Sequence, residues 1–250
     1  MKILSCFRSL TKGAKVYRRA GRDASPARPR CTYNIVSVMD TRRFGLFDLI
    51  IGEIDKAIKV LSTPARHERA APWPLQAEVL GESDRVLSAR LMRVNHSGEV
   101  AAQALYHGQA FTSRDPAVSA AMHRAATEEN DHLAWCEQRL RELQGRTSVL
   151  NPLWYAGSFA IGAVAGALGR GTGLGFVAET EKQVEAHLRE HMERLGPADE
   201  RSRAILEQMT HDEMQHGAHA AALGGKELPF PVSSAMRLTS RLMTHGSYWL

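Results

Sequence analysis

Cysteine is scarce in this chain, and its scarcity argues against two classes of protein. The 250 residues include only Cys6, Cys31 and Cys136, and no Cys-x-x-Cys pair. Small disulfide-stabilised folds and cysteine-ligated metal sites both depend on characteristic cysteine spacings. The sequence therefore predicts neither, and it fits a reducing compartment. Cys136 falls in a helical run and is predicted to be a free, buried thiol.

Aromatic residues are also few, and no segment has the convincing alternating pattern of a β-strand. They make up 6% of the chain, whereas strands are rich in aromatic and β-branched side chains. Alanine, the best helix former, is abundant in the middle of the chain. The length suits one domain, and the composition favours an all-α fold.

Acidic residues are nearly absent from the first 38 positions. That stretch holds nine lysines and arginines against one acid, Asp23, so residues 39–250 carry a net charge of −3 within the overall +5. The domain itself therefore predicts no nucleic-acid surface. We interpret 1–38 as a disordered basic leader. It is either a mitochondrial transit-like segment or translation upstream of a true start at Met39. Residues 39–250 form the predicted domain.

No hydrophobic run is long enough to indicate a clear membrane span. Residues 149–169 carry no charge, but the run is short and rich in glycine. It predicts a buried or membrane-touching helix. Residues 43–62 have apolar side chains at helical spacing and predict an amphipathic helix, and the proline-rich stretch 63–82 predicts a linker.

Glycine and proline breaks separate the longer helical patterns. Four long helices are predicted at about 83–111, 116–143, 175–195 and 197–223, with a last helix at about 232–245. The apolar segment 149–169 would connect two helix pairs. This layout is typical of a four-helix bundle with additional amphipathic and apolar helices.

One pattern of metal-binding side chains occurs twice. Glu99 is followed 30 residues later by Glu129-x-x-His132, and Glu181 is followed 32 residues later by Glu213-x-x-His216. Residues three apart share one face of a helix. Four helices that supply these six residues form the ligand set of a dinuclear iron or manganese centre in a ferritin-like bundle. A single Glu-x-x-His pair is weak evidence for a metal site. With 18 Glu and 11 His in the chain, about one such pair is expected by chance. Surface residues on amphipathic helices are therefore the alternative.

The same six residues suggest how two metal ions would share their ligands. Imidazole and carboxylate without cysteine suit iron. Glu129 and Glu213 are the natural bridges, Glu99 and Glu181 are terminal ligands, and each histidine binds one metal. The pattern predicts no catalytic side chain beyond the metal centre itself.

The acids that precede the two Glu-x-x-His pairs are candidates for a second layer. Metal-bound imidazoles usually donate their other N–H to a carboxylate. We therefore expect Asp212 to reach His132 and Glu128 to reach His216, with solvated acids as the alternative. Tyr106 falls on the stripe of Glu99, where core packing is favoured over a pocket wall.

Other histidines near the motifs are expected to make local hydrogen bonds. His96 lies three residues before Glu99, and His187 lies six after Glu181. Either could sit near the site, but neither belongs to the repeated pattern, so we do not predict them as ligands.

Four segments resemble the signatures of the demethoxyubiquinone hydroxylase family, and the likeness covers about 40–250. The most specific is Asn-His-Ser-Gly-Glu, within 91–102, and the others are 128–133, 179–188 and 212–216. By motif match the resemblance assigns the same six ligands. Glu179 is a neighbouring acid that could compete with Glu181 as the ligand. We prefer Glu181, because Gln183-Val184-Glu185-Ala186-His187 follows Glu181 in the register of the family.

This resemblance implies an activity. Members are di-iron monooxygenases of ubiquinone biosynthesis that hydroxylate the ring of a demethoxyubiquinol, a 2-polyprenyl-3-methyl-6-methoxy-benzoquinol. The chain would hold two iron ions (Fe2+/Fe3+) and use O2, with NADH as the expected reductant. A ferritin-like ferroxidase and another di-iron hydroxylase are the alternatives. A tRNA hydroxylase, however, should show a basic face.

The resemblance also implies a location and partners. A bacterial member is expected as a peripheral protein on the cytoplasmic face of the cell membrane, where its polyprenyl substrate lies. The alternative is the matrix side of the mitochondrial inner membrane. The apolar faces of 43–62 and 149–169 would touch the bilayer, unless they pack on the bundle or on another subunit. A ubiquinone-biosynthesis complex or a homo-oligomer is expected, and nucleic acid is not.

Overall fold

The computed structural model describes residues 45–73 and 78–250. The predicted leader 1–38 lies outside these residues, so the boundary at residue 38 stays a prediction. The chain divides into two compact units, Met1–Leu49 and Ile50–Leu250. Of the first unit only 45–49 is described, and these residues include the start of the first helix. Everything below concerns the second unit.

The described residues are all-helical, without a strand, as the composition predicted. The helices are α1 Leu46–Ser62, α2 Glu82–Thr112, α3 Pro116–Glu142, α4 Asn151–Ala167, α5 Arg170–Arg194, α6 Glu200–Ala222 and α7 Phe230–Trp249.

Local signals explain where three of these helices begin. α3 starts with Pro116 after Asp115, whose side chain accepts hydrogen bonds from two backbone N–H groups of the first turn. The side chain of Asp199 caps α6 by accepting a hydrogen bond from the backbone N–H of Ser202. The predicted start of the third bundle helix at Gly175 is wrong, because α5 already begins at Arg170. The break is confined to Gly169, whose φ of +94° favours glycine.

The helices build a ferritin-like bundle. α2 packs along α3, and α5 packs along α6. Contacts of α3 with α6 and of α2 with α5 join the two pairs. α4 lies against α2 and provides the crossover between the pairs. At Gly108 and Gly162 an added Cβ would collide with the backbone of the facing helix. Glycine therefore permits the close packing of α2 and α4.

Two apolar layers enclose the middle of the bundle. One layer includes Leu91, Met92, Trp135, Cys136, Leu140, Leu188, Ile205 and Met209. The other includes Tyr106, Val118, Met122, Ala126, Leu174, Val177 and Ala220. On each of the four bundle helices, the predicted metal-binding residues fall between members of the two layers. The antiparallel helices therefore bring all six residues to one level. Cys136 is a free buried thiol, as predicted.

The amphipathic helix α1 covers part of this bundle. Ala57, Val60 and Leu61 pack against a third cluster that includes Leu133 and Tyr155. In the residues the structure covers, no helix is both long and apolar enough to cross a membrane.

Candidate metal centre

The six predicted residues form two overlapping groups in the middle of the bundle. Group 1 contains Glu99, Glu129, His132 and Glu213, and group 2 contains Glu129, Glu181, Glu213 and His216. Within each group, one potential ligand atom per residue lies within 4.8 Å of all the others. Glu129 and Glu213 belong to both groups. This is the arrangement that two bridging carboxylates and two terminal ones would have.

His132 is the centre of group 1. Its Nδ1 lies 2.8 Å from Oε2 of Glu129, 3.2 Å from Oε1 of Glu213 and 3.7 Å from Oε2 of Glu99. The imidazole is completely buried. Three helices thus point carboxylate oxygens at one nitrogen, which is the convergence that a metal ion requires.

His216 has the same role in group 2. Its Nδ1 lies 3.0 Å from Oε1 of Glu129 and 3.5 Å from Oε2 of Glu213. The two imidazoles therefore face opposite oxygens of the shared Glu129. Glu181 completes the group, and its Oε1 accepts a hydrogen bond from the hydroxyl of Tyr106.

Burial makes the carboxylates of the centre costly to ionise together. It raises the pKa of Glu99 to about 8, helped by the charge of Glu129 and opposed by His132. Burial and the charges of Glu213 and Glu129 raise the pKa of Glu181 well above its usual value. Four acids in an apolar enclosure need compensating positive charge, and a pair of cations would supply it.

The neighbouring carboxylates favour the charged form of both histidines. Although burial lowers the pKa of His132, Glu129 and Asp212 raise it well above its usual value. Burial likewise opposes the rise in the pKa of His216 to about 11, which Glu129 and Glu213 cause. Burial would raise the pKa of Glu129, but the two imidazoles lower it overall.

Several atoms of the centre are buried without a hydrogen bond of acceptable geometry among the described residues. They are both oxygens of Glu129, Oε2 of Glu213 and the Nδ1 atoms of His132 and His216. Buried polar atoms are normally paired. These unpaired atoms converge, and they belong to residue types that iron prefers. The residues present therefore fit a dinuclear metal centre.

The predicted second layer lies where the sequence placed it. Nε2 of His132 donates to Oδ2 of Asp212 at 2.9 Å, and Nε2 of His216 donates to Oε2 of Glu128 at 3.0 Å. Each outward imidazole nitrogen thus has a carboxylate of the opposite helix pair as its acceptor. Their roles toward a metal stay predictions.

Arg69 extends the second layer on the side of His132, and sequence reasoning missed it. Its guanidinium donates to Asp212 and Asp131, each at 2.7 Å, and lies 4.8 Å from the centre of the Trp135 ring. The pKa of Asp212 falls to about 2, because hydrogen bonds from His132 and Arg69 outweigh its burial. Arg69 lies in the stretch predicted only as a linker, and no spacing pattern identifies a loop residue of this kind.

The sequence also did not predict the hydrogen bond of Tyr106 to the candidate ligand Glu181. Tyr106 belongs to the apolar core, as favoured from the sequence, but its hydroxyl is buried and donates to Glu181. Its position seven residues after Glu99 was the available signal, since that spacing keeps it on the same helix stripe.

The remaining candidates stay outside both groups. Glu179 accepts from Gln183 and lies 3.6 Å from Arg237, so it does not compete with Glu181. His96 makes a hydrogen bond with Asn151. The ring of His187 lies 3.9 Å from that of His191.

A small groove and a large cavity lie near the centre; His216 lines the groove, whereas none of the six residues lines the large cavity. The small groove has a volume of about 80 Å3 and includes Tyr106, Met122, Ala125 and His216 in its wall. The large cavity has a volume of about 710 Å3. α1, the loop 63–69, α2 and α3 form its walls, and Gln103 and Arg69 are among the lining residues. Glu128 borders both spaces.

Comparison with known proteins assigns this arrangement to a family. The family described as ubiquinone biosynthesis protein COQ7 matches residues 86–247, a range that contains all six residues of the two groups. The chain belongs to this family. COQ7 proteins have a ferritin-like di-iron bundle, which agrees with the fold and with the carboxylate–histidine cluster described here.

Individual members of the COQ7 family are similar over most of the chain. A Bordetella pertussis protein named 3-demethoxyubiquinol 3-hydroxylase is 54% identical over 213 residues, which cover 84% of this chain and 95% of that protein. Proteins of the same name from an Azoarcus species and from Ralstonia pickettii are 53% and 52% identical. Each of these two matches covers 81% of this chain and 99% of the relative.

Proposed function

We propose that this chain is a demethoxyubiquinol hydroxylase, a monooxygenase of ubiquinone biosynthesis. It would add a hydroxyl group to the ring of a polyprenyl methoxy-methyl-benzoquinol, with O2 as the oxygen source and NADH as the reductant. The observation that supports this proposal most strongly is the pair of overlapping carboxylate–histidine groups in a chain of the COQ7 family. The name shared by the relatives supports the choice of substrate.

The six residues divide into three functions. Glu99 and His132 would hold one iron ion, Glu181 and His216 the other, and Glu129 and Glu213 would bridge them. When bound, the iron pair supplies the redox chemistry that activates dioxygen. Asp212 and Glu128 orient the two imidazoles by accepting their outward N–H groups. The apolar layers above and below exclude bulk water.

The large cavity supports an organic substrate. Organic ligand sites usually occupy about 300–1,000 Å3, and this cavity has a volume of about 710 Å3. Gln103 and Leu133, both buried, form part of its wall.

A strain that lacks its own hydroxylase tests the proposal. Expression of this chain should restore ubiquinone and remove the accumulated demethoxyubiquinone, as measured by mass spectrometry of a quinone extract. The purified iron-loaded protein should convert a short-chain demethoxyubiquinol only when O2 and a reductant are present. If the quinone extract remained that of the empty strain although the protein was folded and iron-loaded, the substrate assignment would be wrong.

The two alternatives predict different products. A ferroxidase would oxidise added Fe2+ and leave the quinone pool unchanged. Another di-iron hydroxylase would consume O2 and reductant without forming hydroxylated quinol. The large cavity, which borders the second-layer residues Glu128 and Arg69, favours the hydroxylase, since oxidation of iron ions requires no space of that size.

We also propose that the protein lies on a membrane surface. Ile50, Ile51, Ile54 and Ile58 form an exposed apolar stripe on α1. α4 exposes Leu153, Ile161 and Val164, and Leu168 at its C-terminal cap is also exposed. Both helices pack on the same cluster, and amphipathic surfaces of this kind bind at the bilayer interface. The α1 stripe is on the same helix that borders the large cavity, which suits a substrate that arrives from lipid.

Replacement of two of these isoleucines tests the membrane contact. The double variant Ile51→Gln/Ile54→Gln should bind phospholipid vesicles at least about tenfold more weakly, because each isoleucine loses roughly 1.5–3 kcal/mol of apolar burial at most. Vesicle flotation measures the change, and the iron content should not change. The control is Val79→Gln, which alters a loop side chain that is 93% exposed. Equal binding by the double variant and wild type would exclude this surface.

The cytoplasmic face of the bacterial cell membrane is the location we propose, and the relatives named above are bacterial. Fractionation of cells with and without protease treatment from the outside measures it. The mitochondrial inner membrane is the alternative. Membership of a biosynthetic complex, or of a homo-oligomer, stays a prediction that cross-linking in cells would test.

A further inference from the structure

The two metal positions are not equally covered. His132 in group 1 is completely buried, and behind it lie Asp212, Arg69 and Trp135. The side chain of His216 in group 2 is 18% exposed, and its partner Glu128 is 59% exposed. Group 2 is therefore the more open side of the centre.

The small groove borders the open side. His216 forms part of its wall, and so does Tyr106, whose hydroxyl donates to Glu181. His216 and Glu181 are the two residues that belong to group 2 alone. Of the six residues of the two groups, His216 is the one that lines the groove. A molecule in the groove would thus meet the second metal position first.

The size and lining of the groove indicate a small, apolar occupant. A single water needs on the order of 10–15 Å3 of such volume, so about 80 Å3 admits a diatomic molecule easily. It is well below the roughly 300 Å3 at which organic ligand sites begin. Met122, Ala125, Val177 and Ala220 belong to the apolar part of its wall, and Arg124, Glu128, His216 and His219 are its charged or polar members. Dioxygen fits both properties, whereas the quinol fits only the large cavity.

We propose that the small groove is the port through which dioxygen reaches the metal pair, and that it leads to the position held by Glu181 and His216. The inference rests on the proposed function, since it assumes that the centre holds iron and uses O2. Ala125 and Met122 would control the rate of access without binding a metal. The quinol in the large cavity and dioxygen in the groove would then approach from the two sides of Glu128.

Nitric oxide, an uncharged diatomic molecule, tests the port in the Fe2+-loaded protein without quinol. Stopped-flow absorption of the iron–nitrosyl band gives the rate of binding. Ala125→Leu adds three carbon atoms to the groove wall and should slow binding at least about tenfold. The control Thr127→Leu adds bulk two residues further along the same helix, where the side chain lines the large cavity. It should leave the rate within about twofold of wild type.

A second variant, which is expected to increase the rate of nitric oxide binding, distinguishes an effect on the groove from a folding defect. Met122→Ala widens the groove and should speed nitric oxide binding, an outcome that loss of structure does not imitate when two irons per chain remain bound. If Ala125→Leu and Met122→Ala both kept the wild-type rate, or if Thr127→Leu slowed binding instead, the groove would not be the port. These results are separable from the proposed function: wild-type protein that binds no iron, or iron-loaded protein that hydroxylates no quinol, refutes the function itself.

Discussion

Glu129→Gln is expected to remove both metal ions and to reduce hydroxylation to background. Glu129 is shared by the two groups, and its two oxygens lie 2.8 Å and 3.0 Å from the imidazoles of His132 and His216. Glutamine keeps the volume of the side chain but removes its charge and one acceptor oxygen. Loss of a residue that supports a ligand typically costs 10–100-fold in metal affinity or activity. The loss of a bridging ligand should cost at least about a hundredfold.

Iron per chain and the melting temperature are the measurements. Wild-type protein should bind two irons and melt at a higher temperature with iron than without it, because a ligand that binds only the folded state stabilises it. Glu129→Gln should lose both the iron and the iron-dependent rise. Glu99→Gln, which alters group 1 alone, should retain part of the iron.

Glu179→Gln is the matched control for the loss of one carboxylate. Glu179 lies two residues from Glu181 on α5, yet it contacts Gln183 and Arg237 instead of the centre. Its iron content and turnover should equal those of wild type. If Glu129→Gln kept two irons per chain, or if Glu179→Gln lost them, the six-residue assignment would be wrong.

The sequence predicted the bundle and the candidate centre because both depend on periodic spacing. Glu-x-x-His places two side chains on one helix face wherever the helix packs. The similar gaps before the two pairs place all six residues at one level once the helices run antiparallel. The same register predicted the pairs Asp212–His132 and Glu128–His216. Helix α4 was also predictable, because its composition left it no polar face.

Features that depend on tertiary packing were not predictable in this way. Arg69 reaches Asp212 from a loop, and loops carry no period that indicates where a side chain points. The early start of α5 was missed because a glycine-rich sequence was read as a longer break. In the structure Gly173 and Gly175 lie within the helix, and an added Cβ at Gly175 would collide with the backbone of Lys226. The cavities are likewise properties of packed helices and have no signature in one chain segment.

The environments of the two imidazoles differ. We therefore expect replacement of the carboxylate behind His132 to have a larger effect than replacement of the one behind His216. Asp212 is buried and held by three donors: His132 and Arg69 at its Oδ2, and Gln208 at its Oδ1. Glu128 receives its hydrogen bond from His216 while largely exposed to solvent. Water and salt screen an exposed charge far more than a buried one. The carboxylate behind His132 should therefore influence the centre more strongly than the one behind His216.

Asp212→Asn should accordingly lower metal affinity or turnover by about 10–100-fold, the usual cost of losing a carboxylate behind a metal-bound histidine. Glu128→Gln is the matched variant of the other half and should cost several times less. Competition with a chelator of known affinity measures iron binding, and the absorption spectrum of the iron-loaded protein reports the ligand field independently of turnover. An unchanged iron affinity, spectrum and rate in Asp212→Asn would show that Asp212 only anchors Arg69. A larger loss of iron affinity or turnover in Glu128→Gln than in Asp212→Asn would contradict this prediction. It would show that the exposed carboxylate influences the metal centre more strongly than the buried one.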